Sequence, residues 1–319
     1  MTLFDRIREA CRQVTARASH VHVEDACVEP YAASLALESA GEPSLDPTRH
    51  YIGAPDETVA YILTLDAINF GSGYFPHLRK RPGCSGYFTI ASALKDRFDG
   101  GGPFSADELS RLTEWDCAEL FGQDPDDGPR SELMGLYASA LNELGRYLIE
   151  HFGGHFVGLV EAAGGSAERL AGLLAEMPYF RDVELYDGLE VPFFKRAQLA
   201  AADLSLALGG KGLGQFSDLD RLTLFADNLV PHVLRRDGLL SYEPALGAGI
   251  DQEELVPAGS PEEVEIRASA VHAVELLVAE LRKLGRQTTA AQLDYLLWNR
   301  GQQPYYKARP RHRTRTVSY

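Results

Sequence analysis

Residues 221–235 read RLTLFADNLVPHVLR. Leu222, Phe225, Leu229 and Val233 recur at helical spacing, which predicts a helix with one apolar face turned toward a core. Asp227 borders that face. Pro231 follows four residues later. It has no N–H for the carbonyl at i−4, and its ring crowds that carbonyl, which belongs to Asp227. The pattern predicts a helix kinked beside a carboxylate at the edge of the core. A surface Asp on a kinked core helix satisfies it as well as a functional Asp does.

Upstream, Ser217 is the expected cap of this helix. Gly209 to Gly214 (GGKGLG) reads as a tight glycine-rich hairpin, and Phe193 to Leu208 as the helix before it. The glycine run fits neither a P-loop nor a dinucleotide fingerprint, since no strand precedes it.

A second stretch, 56–70, reads DETVAYILTLDAINF. Asp56 is a plausible cap, with Glu57 in the first turn. Val59, Ile62, Leu63, Asp66, Asn69 and Phe70 share one face of the predicted helix, which stops at Gly71-Ser72-Gly73. Asp66 lies in the middle of that apolar stripe, where a carboxylate is costly unless paired or hydrogen-bonded. It is either a satisfied structural Asp or a carboxylate held in a pocket with Asn69 and Phe70 beside it.

The remaining signals are mainly helical. Leu3 to about Arg17 is amphipathic, and His20 to Val28 alternates like a short strand. Gly41 to Pro55 is a connector, and Gly122 to Pro129 an acidic turn. Helices are expected around Ile90 to Phe98, from the capping box at Ser105 to about Phe121, and from Ser131 to Phe152. Others are expected at His155 to Ala163, Ser166 to Ala175, Ser260 to about Leu284, and Thr289 to Arg300. The segment between Arg235 and Ser260 reads as a loop. At least nine helices with scant strand signal predict an all-α fold with a few short strands. It would form one catalytic domain over 1–319, or two intimate helical lobes with the site between them.

The chain of 319 residues carries a net charge of −15. Nucleic-acid binding normally needs a basic footprint, so this balance argues against a DNA partner. Cys11, Cys27, Cys84 and Cys117 show no C-x-x-C spacing and read as free thiols of a reducing compartment. No apolar run approaches a membrane span, so no membrane partner and a cytoplasmic location are expected. His20/His22 and His151/His155 have metal-like spacings. The second pair spans Gly153-Gly154, which breaks the helix that would align it, so no metal and no cofactor are expected.

At Lys307, Arg309, Arg311, Arg313 and Arg315 every odd position is basic. In an extended chain all five charges share one face. On so acidic a protein they form a strap across an acidic surface, an anion cradle, or both. Arg311, Arg313 and Arg315 are the candidates for facing a ligand.

A helix, a glycine-rich hairpin, a second helix and a core-edge Asp within it resemble the helix–hairpin–helix DNA glycosylases, where an Asp in this region serves N-glycosidic cleavage. The acidic charge directs that chemistry to something smaller than DNA. HYIGAPDETVAYILTLDAINFGSGYFP, VPFFKRAQL, LTLFADNLVPHVL, LDYLLWNRGQ and RPRHRTRTVSY, from about residue 50 to the end, resemble the queuosine salvage family. The resemblance implies an all-helical fold related to the DNA glycosylases. It also implies hydrolysis of queuosine 5′-phosphate to release queuine. Asp227 matches the family's catalytic Asp, Lys195 its partner Lys, and Asp66, Asn69 and Phe70 the base-pocket segment. Lys211 of the hairpin has no such match. A non-catalytic queuosine- or tRNA-binding module and a repair glycosylase are the alternative readings.

Overall fold

The computed structural model describes residues 1–37, 43–124 and 128–319. Parts of the two predicted connectors, 41–42 and 125–127, lie outside the described residues.

In chain order the elements begin with α1 (Leu3–Arg17), β1 (Val21–Val23), α2 (Asp25–Ser34) and α3 (Pro55–Ala67). Then come α4 (Gly86–Gly101), α5 (Ala106–Leu109), α6 (Glu114–Leu120), α7 (Pro129–Phe152), α8 (Phe156–Ala162) and α9 (Ala167–Leu174). A hairpin of β2 (Val183–Tyr186) and β3 (Leu189–Pro192) leads into α10 (Lys195–Ala207). The chain ends with α11 (Leu229–Arg236), β4 (Leu240–Tyr242), α12 (Pro244–Asp251), α13 (Pro261–Lys283), α14 (Ala290–Gly301) and α15 (Pro304–Lys307). The fold is mostly helical, as the periodicity predicts.

The strands are short and serve as fasteners. β1 pairs antiparallel with β4, joining the N-terminal region to the C-terminal half. β2 and β3 form an antiparallel hairpin. Its turn uses Asp187 and Gly188, both at positive φ, the geometry that matches the twist of a two-residue hairpin.

Two helices run through the core. α3 packs against α4, α7, α8 and α10, while α13 packs against α1, α2, α11 and α14. Every α3 residue from Thr58 to Ala67 is buried, so α3 is covered all round instead of on one face, with Thr58, Thr64 and Asp66 among the buried side chains. Buried apolar side chains from Phe4 to Tyr306 form one contiguous cluster around both helices.

Several predicted boundaries shift, each for a physical reason. The helix expected over 221–235 begins only at Leu229. Residues 222–227 have no regular structure. Pro231 is the third helical residue, where no intrahelical partner awaits its missing N–H, so it starts the helix instead of kinking it. Ser217 does not cap it; its hydroxyl bonds Gly165 O. The glycine run is a turn that enters a short 3₁₀ segment, Gly212–Gly214, and the second helix starts well after it. α3 stops at Ala67, so Asn69 and Phe70 lie just past its end. Its cap position is Ala54, with Pro55 at the first helical position. The helix expected from Ser105 is two helices, because Thr113 and Asp116 form a second capping box. The strand at His20 ends at Val23, and α2 follows. The loop between Arg235 and Ser260 contains β4 and α12.

Candidate active site

The irregular segment before α11 is fastened along its length. Thr223 N–H donates to Gln198 Oε1 at 2.9 Å, and Phe225 N–H to Asp294 Oδ1 at 3.2 Å. Ala226 O accepts from Arg267 Nε at 3.1 Å. Asp227 comes next, half-buried, with Oδ1 accepting the N–H groups of Leu229 at 2.8 Å and Val230 at 3.1 Å. It therefore satisfies two orphan donors of α11, where the helix dipole favours a negative group. Oδ2 has no hydrogen-bond partner among the described residues and belongs to a side chain that lines a cavity.

Lys195 is the first residue of α10 and is buried. Its Nζ donates to Asn69 O at 3.3 Å. Burial pushes its ammonium down from the usual lysine range, while the charges of Asp227 and then Asp66 pull it back. Lys195 and Asp227 thus feel one another across the cavity they both line.

Asp66 is fully buried near the C-terminal end of α3 and is not part of the cavity wall. Its Oδ1 accepts from Asn69 Nδ2 at 3.2 Å, and its Oδ2 is buried without a partner. Burial pushes its carboxyl up to about 7, against the opposing effects of Asn69, Lys195 and Arg196. An orphaned buried oxygen costs about 1–3 kcal/mol, and holding a proton relieves part of that. Asp66 therefore stands behind Asn69 and fixes that amide, while Asn69 and Phe70 form the wall. Phe70 is set edge-on against Tyr137 at 5.1 Å, and Tyr137 OH donates to Phe70 O at 3.0 Å.

Arg196, which the sequence reading passed over, is buried and closes the end of α3. Its Nη1 donates to Asp66 O at 3.1 Å and Ala67 O at 2.7 Å, its Nη2 donates to Tyr179 O, and its guanidinium lies 4.9 Å from the Phe70 ring.

The cavity measures about 810 Å³ and brings together Asn69, Phe70, Lys195, Asp227 and Arg311 of the predicted residues. Aromatic side chains, among them Phe75, Tyr87, Phe88 and Trp298, line it as well. Of the further aspartates on the wall, the two buried ones, Asp203 and Asp294, were not singled out from sequence. Both are held toward the neutral, proton-carrying form, first by burial. The charge of Asp66 adds to this for Asp203, and that of Asp227 for Asp294. Asp203 had a usable signal: like Asp66, it interrupts an apolar helical run.

The tail divides. Arg311 faces the cavity, as does Lys307 from α15. Arg313 turns outward to Glu253, donating to its carbonyl at 2.8 Å with the carboxylate at 3.5 Å. Arg315 reaches Glu132 at 3.8 Å and stacks on Tyr74. His312 and Thr314 are buried, as a period of two requires. Val256 N–H donates to Arg313 O at 2.9 Å, and Asn228 Nδ2 to His312 O at 3.2 Å, so the tail straps the Asp227 segment in place.

Among the described residues no group of three or more His, Cys, Asp or Glu is placed to hold a metal, and no helix is long and apolar enough to cross a membrane. The four cysteines are free.

Fold and site define a helical protein with a partly open, aromatic, ligand-sized cavity. A carboxylate with a free oxygen and a buried lysine both line it. The chain belongs to the queuosine salvage protein family, whose model matches residues 49–319. It is similar to the queuosine 5′-phosphate N-glycosylase/hydrolase of Sphaerobacter thermophilus, with 38% identity over 97% of this chain and 96% of that one. It is similar to the protein of that name from Dictyostelium discoideum, with 35% identity over 82% and 78% of the two chains. The Mus musculus protein of the same name is 32% identical over 84% and 83%.

Proposed function

We infer that this chain hydrolyses the N-glycosidic bond of queuosine 5′-phosphate and releases queuine for reuse in tRNA modification. The observation that carries this reading is the family match combined with a cavity in which Asp227 keeps one oxygen free opposite Lys195. A volume of about 810 Å³ is in the range that accommodates a nucleotide.

Breaking the bond leaves the electron pair on the base and positive charge on the ribose. The carboxylate of Asp227 stabilises that charge, and water supplies the hydroxyl that ends on the sugar. The charge of Asp227 in turn pulls the Lys195 ammonium back toward its charged form. The departing base needs a proton, and a 7-deazaguanine has no N7 to receive it. Asp203 and Asp294, held toward their protonated forms, are the donors at hand on the wall. Phe70 stacks on the base, with Asn69 held behind it by Asp66. Arg311 and Lys307 receive the 5′-phosphate. Arg313 and Arg315 act on the substrate only through the strap they pin. The working unit is the whole chain, 1–319, a cytoplasmic enzyme with neither DNA nor membrane as partner.

The test is queuine release from queuosine 5′-phosphate, read by mass spectrometry, for wild type and Asp227→Asn. Wild type is expected to release queuine, and the variant to lose about a thousandfold in rate, as for a group acting mainly in the transition state. Unchanged release by the variant removes Asp227 from the centre. No release by wild type overturns the hydrolase reading.

A further inference from the structure

One guanidinium is tied, through Ala226 O and the Asp182 carboxylate, to the segments that carry Asp227 and Lys195. Arg267 lies on α13, fully buried and outside the cavity wall. Its Nη1 and Nη2 donate to Asp182 Oδ1 and Oδ2 at 2.9 and 2.6 Å, and its Nε donates to Ala226 O at 3.1 Å. Glu263 lies 3.6 Å from Nη1, and the rings of Phe193 and Tyr319 lie 3.9 and 4.8 Å from the guanidinium carbon. Asp182 Oδ2 also accepts the N–H of Lys195 at 3.1 Å. The residue before Asp227 and the first residue of α10 therefore hang on one planar ion pair.

The start of α10 needs that support. Phe194, at its cap position, has φ 47 and offers no side-chain cap. A non-glycine residue persists in the left-handed region only where its surroundings over-determine it. Here Asp182 does so, its carbonyl taking the N–H groups of Phe193 and Phe194 at 2.9 and 3.2 Å while its carboxylate takes that of Lys195. Stability alone does not call for this arrangement, because a buried ion pair is often no more stabilising than apolar side chains of the same volume. What the pair supplies is geometry: a rigid fork holds three acceptors at set directions, which a flexible ammonium does not do.

We propose that Arg267, acting through Asp182, is a positioning residue that sets the separation of Lys195 and Asp227. The inference rests on the hydrolase reading above. Because neither residue touches the cavity, loss of the fork alters the reacting geometry and leaves substrate binding in place.

The test compares Arg267→Lys and Asp182→Asn with Leu277→Ala, a core substitution on the same helix that lowers Tm without touching the network. In the first two variants kcat for queuine release falls at least about tenfold per folded protein while KM stays within about threefold. In Leu277→Ala kcat per folded protein is unchanged. Wild-type kcat in folded Arg267→Lys or Asp182→Asn overturns the proposal, as does an equal loss in Leu277→Ala. If one of the two variants does not fold, the other decides. Hydrogen exchange gives a readout independent of activity: in Arg267→Lys the amides of 194–198 and 225–230 exchange faster together. Acceleration at one segment only, or at neither, overturns the shared tie. Should wild type release no queuine, the hydrolase reading fails by itself, and the exchange pattern still decides whether Arg267 joins the two segments.

Discussion

Asp227 and Asp66 are the same residue set at opposite ends of helices. Asp227 precedes α11, where unpaired N–H groups point outward, and two of them bond its Oδ1. Asp66 is the penultimate residue of α3, at the carbonyl end, with one amide partner and one orphaned oxygen. The first keeps one oxygen free at the cavity wall. The second is buried behind the wall and pushed up to about 7. Side-chain chemistry does not separate them; their place on a helix and their burial do.

After Asp227→Asn, the largest expected effect falls on the cation that feels both carboxyls. Lys195→Met should lower kcat about a hundredfold, as loss of one preorganised charge does. Steady-state release of queuine checks it, and a fall of less than threefold would separate Lys195 from Asp227.

Asp66→Asn should leave that chemistry largely standing and change stability instead. The folded-state carboxyl is raised, so between pH 4 and 7 the folded chain keeps a proton that the unfolded chain loses. Wild-type stability therefore falls as pH rises through that window and then levels. Asp294 is raised in both proteins and cancels, whereas Asp203 feels the charge of Asp66, so the difference reports Asp66 together with its coupling to Asp203. Relative to Asp66→Asn, wild type should lose on the order of 2 kcal/mol between pH 5 and pH 8. Urea denaturation at both values measures this, and parallel curves would break the comparison.

Arg311→Ala acts on the Asp227 side alone. It should raise KM for the nucleotide about tenfold and leave the nucleoside nearly unaffected, the loss of one charge-assisted contact to phosphate. Equal effects on both substrates would move the phosphate elsewhere. Arg313→Ala should do least. Its partner Glu253 is largely exposed, so the ion pair contributes at most about 0.5–1 kcal/mol. Tm should move slightly and kcat not at all; a KM change matching that of Arg311→Ala would put Arg313 in the cradle.

The caps at Ser105 and Ser260 and the helical period of α1 were legible because each depends on neighbours a few residues away, whereas the caps expected at Asp56 and Ser217 are not caps in the fold. The free thiols were legible from spacing. Asp66 was legible as an anomaly, but not as a group behind the wall, because periodicity gives a face and not a depth. The tail's alternation predicted five charges on one face, but Lys307 belongs to α15, and the choice of Arg311 depended on where Glu253 and Glu132 lie.

Sequence by itself determined a mostly helical chain with an aspartate beside Pro231, an aspartate inside an apolar run and a basic tail. The tertiary structure alone decided that Asp227 leaves its helix to cap it and that Asp203 and Asp294 join the cavity. It alone decided that Arg267 holds the two halves of the site together. Those outcomes rest on contacts between residues far apart in sequence, such as Lys195 with Asp182 and Ala226 with Arg267, which no local spacing encodes.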